Sequence, residues 1–146
     1  MEILKLVALD AEDLAVVSAH LQDGIVKIGD MAHLPKERRF AFAIRRFDWE
    51  AGEKEEPRRR LAAAHFERVL SVRTKGIDRT SPEGVLNLLA ITFVETVAPS
   101  GVASLLFSNG SAVELDLECI EMQMRDMGPV WEVAHRPSHL SDELDS

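Results

Sequence analysis

The tetrapeptide Ser108-Asn109-Gly110-Ser111 limits the fold more than any other feature of this chain. Asn and Gly both tolerate positive φ, so the pair suits the tip of a tight hairpin between twisted strands. The flanks agree. "VASLLF" (102–107) precedes it, and in "AVELDL" (112–117) Val113, Leu115 and Leu117 alternate with Glu114, Asp116 and Glu118. That period of two belongs to a half-buried strand. Upstream, "VLNLLAITFVETV" (85–97) is apolar on both faces, which predicts the most buried strand. In "HFERVLSVRTKGI" (65–77), Phe66, Leu70 and Val72 alternate with Glu67, Ser71 and Arg73. Together these stretches predict an antiparallel meander. Past Leu117 the phase slips by one, and two readings stay open for 118–127. Ile120, Met122 and Met124 continue a strand beyond a bulge, or Leu117, Ile120, Met124 and Met127 make a helical stripe stopped by Gly128 and Pro129.

The first half reads as a short strand at 3–9, a helix and a hairpin. In "DAEDLAVVSAHLQDG" (10–24), Asp10 can cap, Glu12 and Asp13 sit in the positive first turn, and Gly24 supplies a stop. Leu14, Val17 and Leu21 give the helix one apolar stripe. Residues 25–34 and 38–47 flank Pro35, with Phe40, Phe42 and Ile44 alternating against Ala41, Ala43 and Arg45. The segment 48–60 is a charged loop within one domain.

These elements predict an α+β fold with a single domain over 1–128. Its core is one strongly curled antiparallel sheet, a roll or split barrel, with the N-terminal helix over an opening of that sheet. A pleckstrin-homology-like barrel fits this mixture by architecture alone. Residues 129–146 are expected to form a C-terminal arm and polar tail.

At 146 residues the chain can bury a full core. No apolar run approaches the roughly 18 residues that span a bilayer, and the acidic N-terminus lacks the basic start of an export signal. Cys119 is the single cysteine, which excludes an intrachain disulfide and a cysteine-rich zinc site. The expected location is the cytoplasm, with no membrane partner.

Charge is distributed unevenly along the chain. Residues 36–79 hold 13 of the 17 Lys and Arg against 8 acids, while the whole chain carries −8. Lys36, Arg38 and Arg39 lie beside a turn, Arg45 and Arg46 end a strand, and Arg58, Arg59 and Arg60 follow the acidic loop. Arginine is shaped for bidentate contact with phosphate or carboxylate. Convergence of these three groups would make a patch for RNA, a phosphorylated ligand or an acidic partner. The competing reading pairs them with Glu53, Glu55, Glu56 and the acidic C-terminal third.

Other chemistry finds little support. His135 and His139 are four apart, but Pro137 lies between them and no third metal ligand is named. Asp48 and Glu50 flank Trp49 as an acid pair, a pattern that a solvated strand end explains better. The chain has no nucleophile elbow, no dinucleotide fingerprint and no P-loop. Tyr is absent and aromatics are 5%, so base-stacking platforms are scarce. Trp131, Val133 and His135 mark an extended arm that packs on its own domain or docks a partner.

Three stretches, 8–50, 65–79 and 117–139, resemble an uncharacterised alphaproteobacterial family, domain of unknown function 2948. The resemblance covers nearly the whole chain and implies no activity, cofactor or catalytic residue.

The function expected from all this is a small protein-binding or adaptor module without a catalytic centre or cofactor. Its partner would be another protein or a second copy of the chain. One alternative is an enzyme built on His33, His65 or His135 with nearby acids. Another is an RNA- or anion-binding protein that uses 36–60, with nucleic acid the less favoured ligand.

Overall fold

The computed structural model describes residues 3–48 and 59–127. They form one helix, α1 (Ala11–Leu21), and ten strands. The strands are β1 (Lys5–Ala8), β2 (Ile25–Lys27), β3 (Met31–Leu34), β4 (Arg39–Phe47) and β5 (Arg59–Phe66), followed by β6 (Val69–Lys75), β7 (Val85–Glu95), β8 (Gly101–Phe107), β9 (Ala112–Leu117) and β10 (Met122–Asp126). Every ladder is antiparallel, so the chain is α+β. The order is β1-β10-β5-β4-β2-β7-β8-β9-β6, with β3 on β4 beside β2. No ladder joins β1 to β6 among the described residues. The order is therefore open: the pairing gives the antiparallel sheet and the single helix, and does not by itself give the strongly curled roll, split barrel or pleckstrin-homology-like form. The expected C-terminal arm lies outside the described residues.

Helix α1 begins as its sequence requires. The Asp10 side chain accepts the Asp13 N–H at 2.8 Å, and Leu14, Val17 and Leu21 are buried. Its end differs from expectation. Asp23, at φ 66, takes the left-handed turn, while Gly24 serves close approach: a Cβ there would lie 2.5 Å from Ile44 Cδ1. Ser18 Oγ accepts the Ile91 N–H at 2.9 Å and fastens the helix to β7.

The two halves of the sheet share one core, in which Phe42, Ile44, Phe66 and Met124 join Leu88, Leu105, Val113 and Leu115. The most buried strand is β4, where every residue from Phe40 to Ile44 is buried. Strand β7 is not, contrary to the sequence reading. Its register shifts between Leu88 and Ala90; Leu88 and Ile91 point inward, and Leu89 and Val94 are left exposed. Residues 65–77 are two strands rather than one. Arg68, at φ 59, breaks them, so Val69 is buried and Leu70 exposed, the reverse of the expected phase. The strand begins earlier too, because β5 takes in Arg59 and Arg60 from the expected loop. For 118–127 the strand reading holds: Met122 and Met124 are fully buried in β10.

The β8–β9 hairpin forms as anticipated, with Asn109 at φ 68 and Gly110 at φ 77. A Cβ on Gly110 would meet nothing within 4 Å, whereas one on Gly101 would lie 2.5 Å from the Val94 carbonyl oxygen. Gly110→Ala should therefore cost only the left-handed backbone penalty, about 1 kcal/mol. Gly101→Ala should cost more, about 2–3 kcal/mol, because backbone cannot yield. Denaturant unfolding of the two variants checks the order.

Candidate functional site

Cross-strand register carries the apolar inner face of β4 and β5 directly into charge. Phe42 faces Ala64, Ile44 faces Ala62, and the next inward pair is Arg46 facing Arg60. Each arginine is answered by an aspartate. Arg46 Nε and Nη2 donate to Asp126 Oδ1 and Oδ2 at 2.8 and 2.9 Å. Arg60 Nε donates to Asp48 Oδ2 at 2.6 Å. Asp126 also accepts the Leu4 N–H at 2.9 Å, and its side chain is 0% exposed. Charges so deep must be paired and hydrogen-bonded, since an unmatched one would cost several kcal/mol. These residues fasten the sheet. The expected solvated strand end at Asp48 is thus corrected: Asp48 is buried, and Trp49 and Glu50 lie outside the described residues.

The opposite face of the same strands looks different. Lys5 lies directly across from Arg125, Arg125 from Ala63, and Ala63 from Ala43. One row along, Val7, Gln123, His65, Ala41 and Ala32 face one another in turn. A further row on the other side sets Leu61 against Arg45. Lys5, Arg125, Gln123 and Arg45 are exposed, Ala63 and His65 half-buried, and Ala41 and Ala43 buried. Among the described residues no acid pairs with Lys5, Arg125 or Arg45. Like charges directly opposite destabilise a ladder, so the Lys5–Arg125 pair is held against its own repulsion.

At the border of this face His65 Nδ1 lies 2.6 Å from Glu67 Oε2, and Arg39 Nε donates to the same oxygen at 2.7 Å. An ionised carboxylate only accepts, so Nδ1 carries the proton. The ring is 32% exposed. His33, by contrast, pairs with Phe40 and belongs to the inner-face register. His33 and His65 therefore do not converge.

The expected basic group is split by strand alternation. Arg46 and Arg60 turn inward to aspartates, while Arg39, Arg45 and Arg59 belong to the outer register. Arg59 Nη1 donates to the carbonyls of Asp23 and Arg45. Lys36 and Arg38 are exposed at the turn before β4. Arg58, Trp131, Val133 and His135 lie outside the described residues. Sequence reasoning missed Lys5, Gln123 and Arg125. Their signal was present as polar residues alternating with Leu4, Leu6, Met122 and Met124, but the pairing of β1 with β10 was not visible.

Two arginines outside the three expected groups also meet acids of the C-terminal third. Arg68 pairs with Glu118 and Glu121, and Arg73 with Glu114 and Asp116. Asp116 additionally accepts from Ser71. Hydrogen bonds from Arg73 and then Ser71 hold its carboxyl below the ordinary aspartate range. Cys119 is a free, half-buried thiol. The described residues contain no cluster of three metal-binding side chains and no helix long and apolar enough to cross a membrane.

A ten-stranded antiparallel sheet with one helix and a cationic outer face defines an α+β protein. The chain belongs to the family of proteins of unknown function DUF2948, whose model matches residues 4–139. No curated protein and no solved structure matches it.

Asp126→Asn should replace the bidentate carboxylate on the buried Arg46 guanidinium with a neutral amide and lower stability by about 3 kcal/mol. Arg46→Met with Asp126→Leu should recover most of that loss. Guanidinium chloride midpoints test both, and an unchanged midpoint in Asp126→Asn would show that the pair contributes nothing. For Asp116 the depressed folded pKa means stabilisation that is complete above the unfolded value of about 3.9 and lost as pH falls through the folded value. Asp116→Asn should therefore be less stable than wild type at neutral pH. The gap, small for so exposed a pair, should close in acid when midpoints are followed from about pH 7 to pH 3.

Proposed function

We propose that this protein is a binding module without a catalytic centre, and that it takes an acidic protein segment on the outer face of β1, β10, β5 and β4. The observation that carries the reading is Lys5 set directly opposite Arg125, with Arg45 two strands away and no acid paired to any of the three among the described residues. A repulsive pair persists where its charges serve a ligand. A second copy of the chain is a poorer occupant, because a two-fold contact centred here would set this cationic row against itself. RNA is also disfavoured. The rows running from Lys5 to Ala43 and from Val7 to Ala32 contain no Phe, Trp or Tyr on which a base could stack. For an enzyme built on His33, His65 or His135 with nearby acids, the described residues offer the His65–Glu67 pair, while His33 lies on the other side of the sheet and adds nothing to it.

A fluorescein-labelled octa-aspartate peptide tests this by fluorescence anisotropy at low salt. Wild-type protein should bind it, with affinity falling as salt is added. Lys5→Glu with Arg125→Glu should weaken binding at least about tenfold, the scale of two lost charge contacts, at an unchanged melting temperature. Absence of binding at low salt, or indifference to the charge reversal, would overturn the reading. Tighter binding of a single-stranded RNA through the same two residues would replace the protein partner with nucleic acid.

A further inference from the structure

We infer that His65 Nε2 is the hydrogen-bonding contact for a carboxylate seated over Ala63 on this outer face. The inference rests on the anionic-partner reading and adds the atom that reads the ligand. Ala63 is half-buried and small, with a guanidinium and an imidazole as neighbours. Arg125 lies directly across from it in β10, and His65 is two residues along β5 on the same face. Directly opposed Cβ atoms are about 5 Å apart and i, i+2 neighbours about 7 Å. A long arginine and an imidazole therefore both reach a group above the alanine methyl. Arg45, diagonal across Ala43, adds a third positive charge at longer range.

The imidazole is held through one of its two nitrogens. Its Nδ1–H is spent on Glu67 Oε2 at 2.6 Å, and Glu67 is itself fixed by Arg39 at 2.7 Å. Both donors use one carboxylate oxygen, so neither ring flip nor rotation is free. Nε2 is left without a partner among the described residues, on a ring that is 32% exposed. In the neutral ring Nε2 is a bare acceptor and repels a carboxylate; in the protonated ring it becomes a donor. The contact is therefore conditional on a proton.

The groups that share this face set the background. Lys5 comes from β1, Gln123 and Arg125 from β10, Glu67 from the turn just after β5, and Arg39 and Arg45 from β4. Glu121, just before β10, is engaged by Arg68 at 3.3 Å, and Glu67 is engaged as described. None of the lysines and arginines changes charge near neutral pH. A purely cationic surface would therefore bind an aspartate peptide with the same affinity at about pH 6 and about pH 8. Imidazole is the side chain that titrates across that window.

The experiment compares octa-aspartate binding at about pH 6 and about pH 8, at one fixed low ionic strength, for wild type, His65→Gln and Glu67→Gln. Wild type should bind about five- to tenfold tighter at the lower pH, the worth of one ordinary net hydrogen bond on a partly exposed ring. His65→Gln should remove the pH dependence and keep the affinity that Lys5 and Arg125 provide. Glu67→Gln, which frees the ring, should blunt the dependence without abolishing binding. Binding that is equally strong at both pH values in wild type, and unchanged in His65→Gln, would overturn the role of His65 and leave the anionic-partner reading standing. No binding at either pH would remove both. Succinate added as competitor separates the sources of the carboxylate. Displacement only at concentrations far above that of the peptide supports a protein ligand, whereas displacement at equal concentration would make the ligand a small dicarboxylic acid.

Discussion

Asp126 is the point on which the rest of the sheet depends. Its two oxygens take the Arg46 guanidinium in a bidentate pair and also the Leu4 N–H. One carboxylate thereby joins the first strand, the fourth strand and the last. The N–H of Asp126 donates to the Leu4 carbonyl as well, so β1 is locked on β10 from both directions. That lock adds to the four-pair ladder and to the packing of Leu6 and Ala8 on the core, and it opposes the repulsion of Lys5 and Arg125 across the same ladder. Burial makes the pair strong and makes it obligatory, because removal of either partner strands a charge in a place where water cannot compensate.

Register converts this lock into a two-sided surface. The β4–β5 pairing fixes which residues share a face over its whole length. Once Phe42 and Ile44 are committed to the core, Arg46 must follow them inward and Arg45 must stay out. The same holds for Arg60 and Arg59. The core half of each arginine doublet is neutralised by aspartate, and the outer half is exposed, with Arg59 donating to main-chain carbonyls. A slip of one residue would reverse every one of these assignments, so the cationic face and the apolar core are one specification.

What the sequence made legible was local. The Asn109-Gly110 hairpin, the capped helix and the β3–β4 hairpin around Pro35 depend on neighbours in the chain, and all three are present. What escaped was non-local or conformationally exceptional. Strand β5 was obscured because "LAAA" has weak strand propensity and is stabilised by β4 and β10 on its two sides. Arg68 at positive φ gave no signal, since arginine is not a residue expected there, and Leu70 was set inward in consequence, while Phe66 is buried as expected. The basic segment was read as three groups that could converge. Adjacent arginines in a strand necessarily diverge, and the partner that claims Arg46 lies 80 residues away. Lys5 and Arg125 could be joined only by knowing that the first and last strands pair.

Net charge sharpens the meaning of the outer face. A chain with an excess of basic residues would show unpaired cations somewhere by default. This chain carries 25 acids against 17 bases, so acids are plentiful, and elsewhere they are used: Arg68 and Arg73 each meet two. Solvated cations cost little when left alone, but two of them placed opposite each other in a ladder do cost something, and substitution of one by an acid would turn the repulsion into attraction. An arrangement so easily improved for stability is the kind that selection for binding leaves behind. The alanines beside it point the same way. Ala41 and Ala43 are buried, and Ala63 alone of the three stays half-buried, at the point where the proposed carboxylate sits.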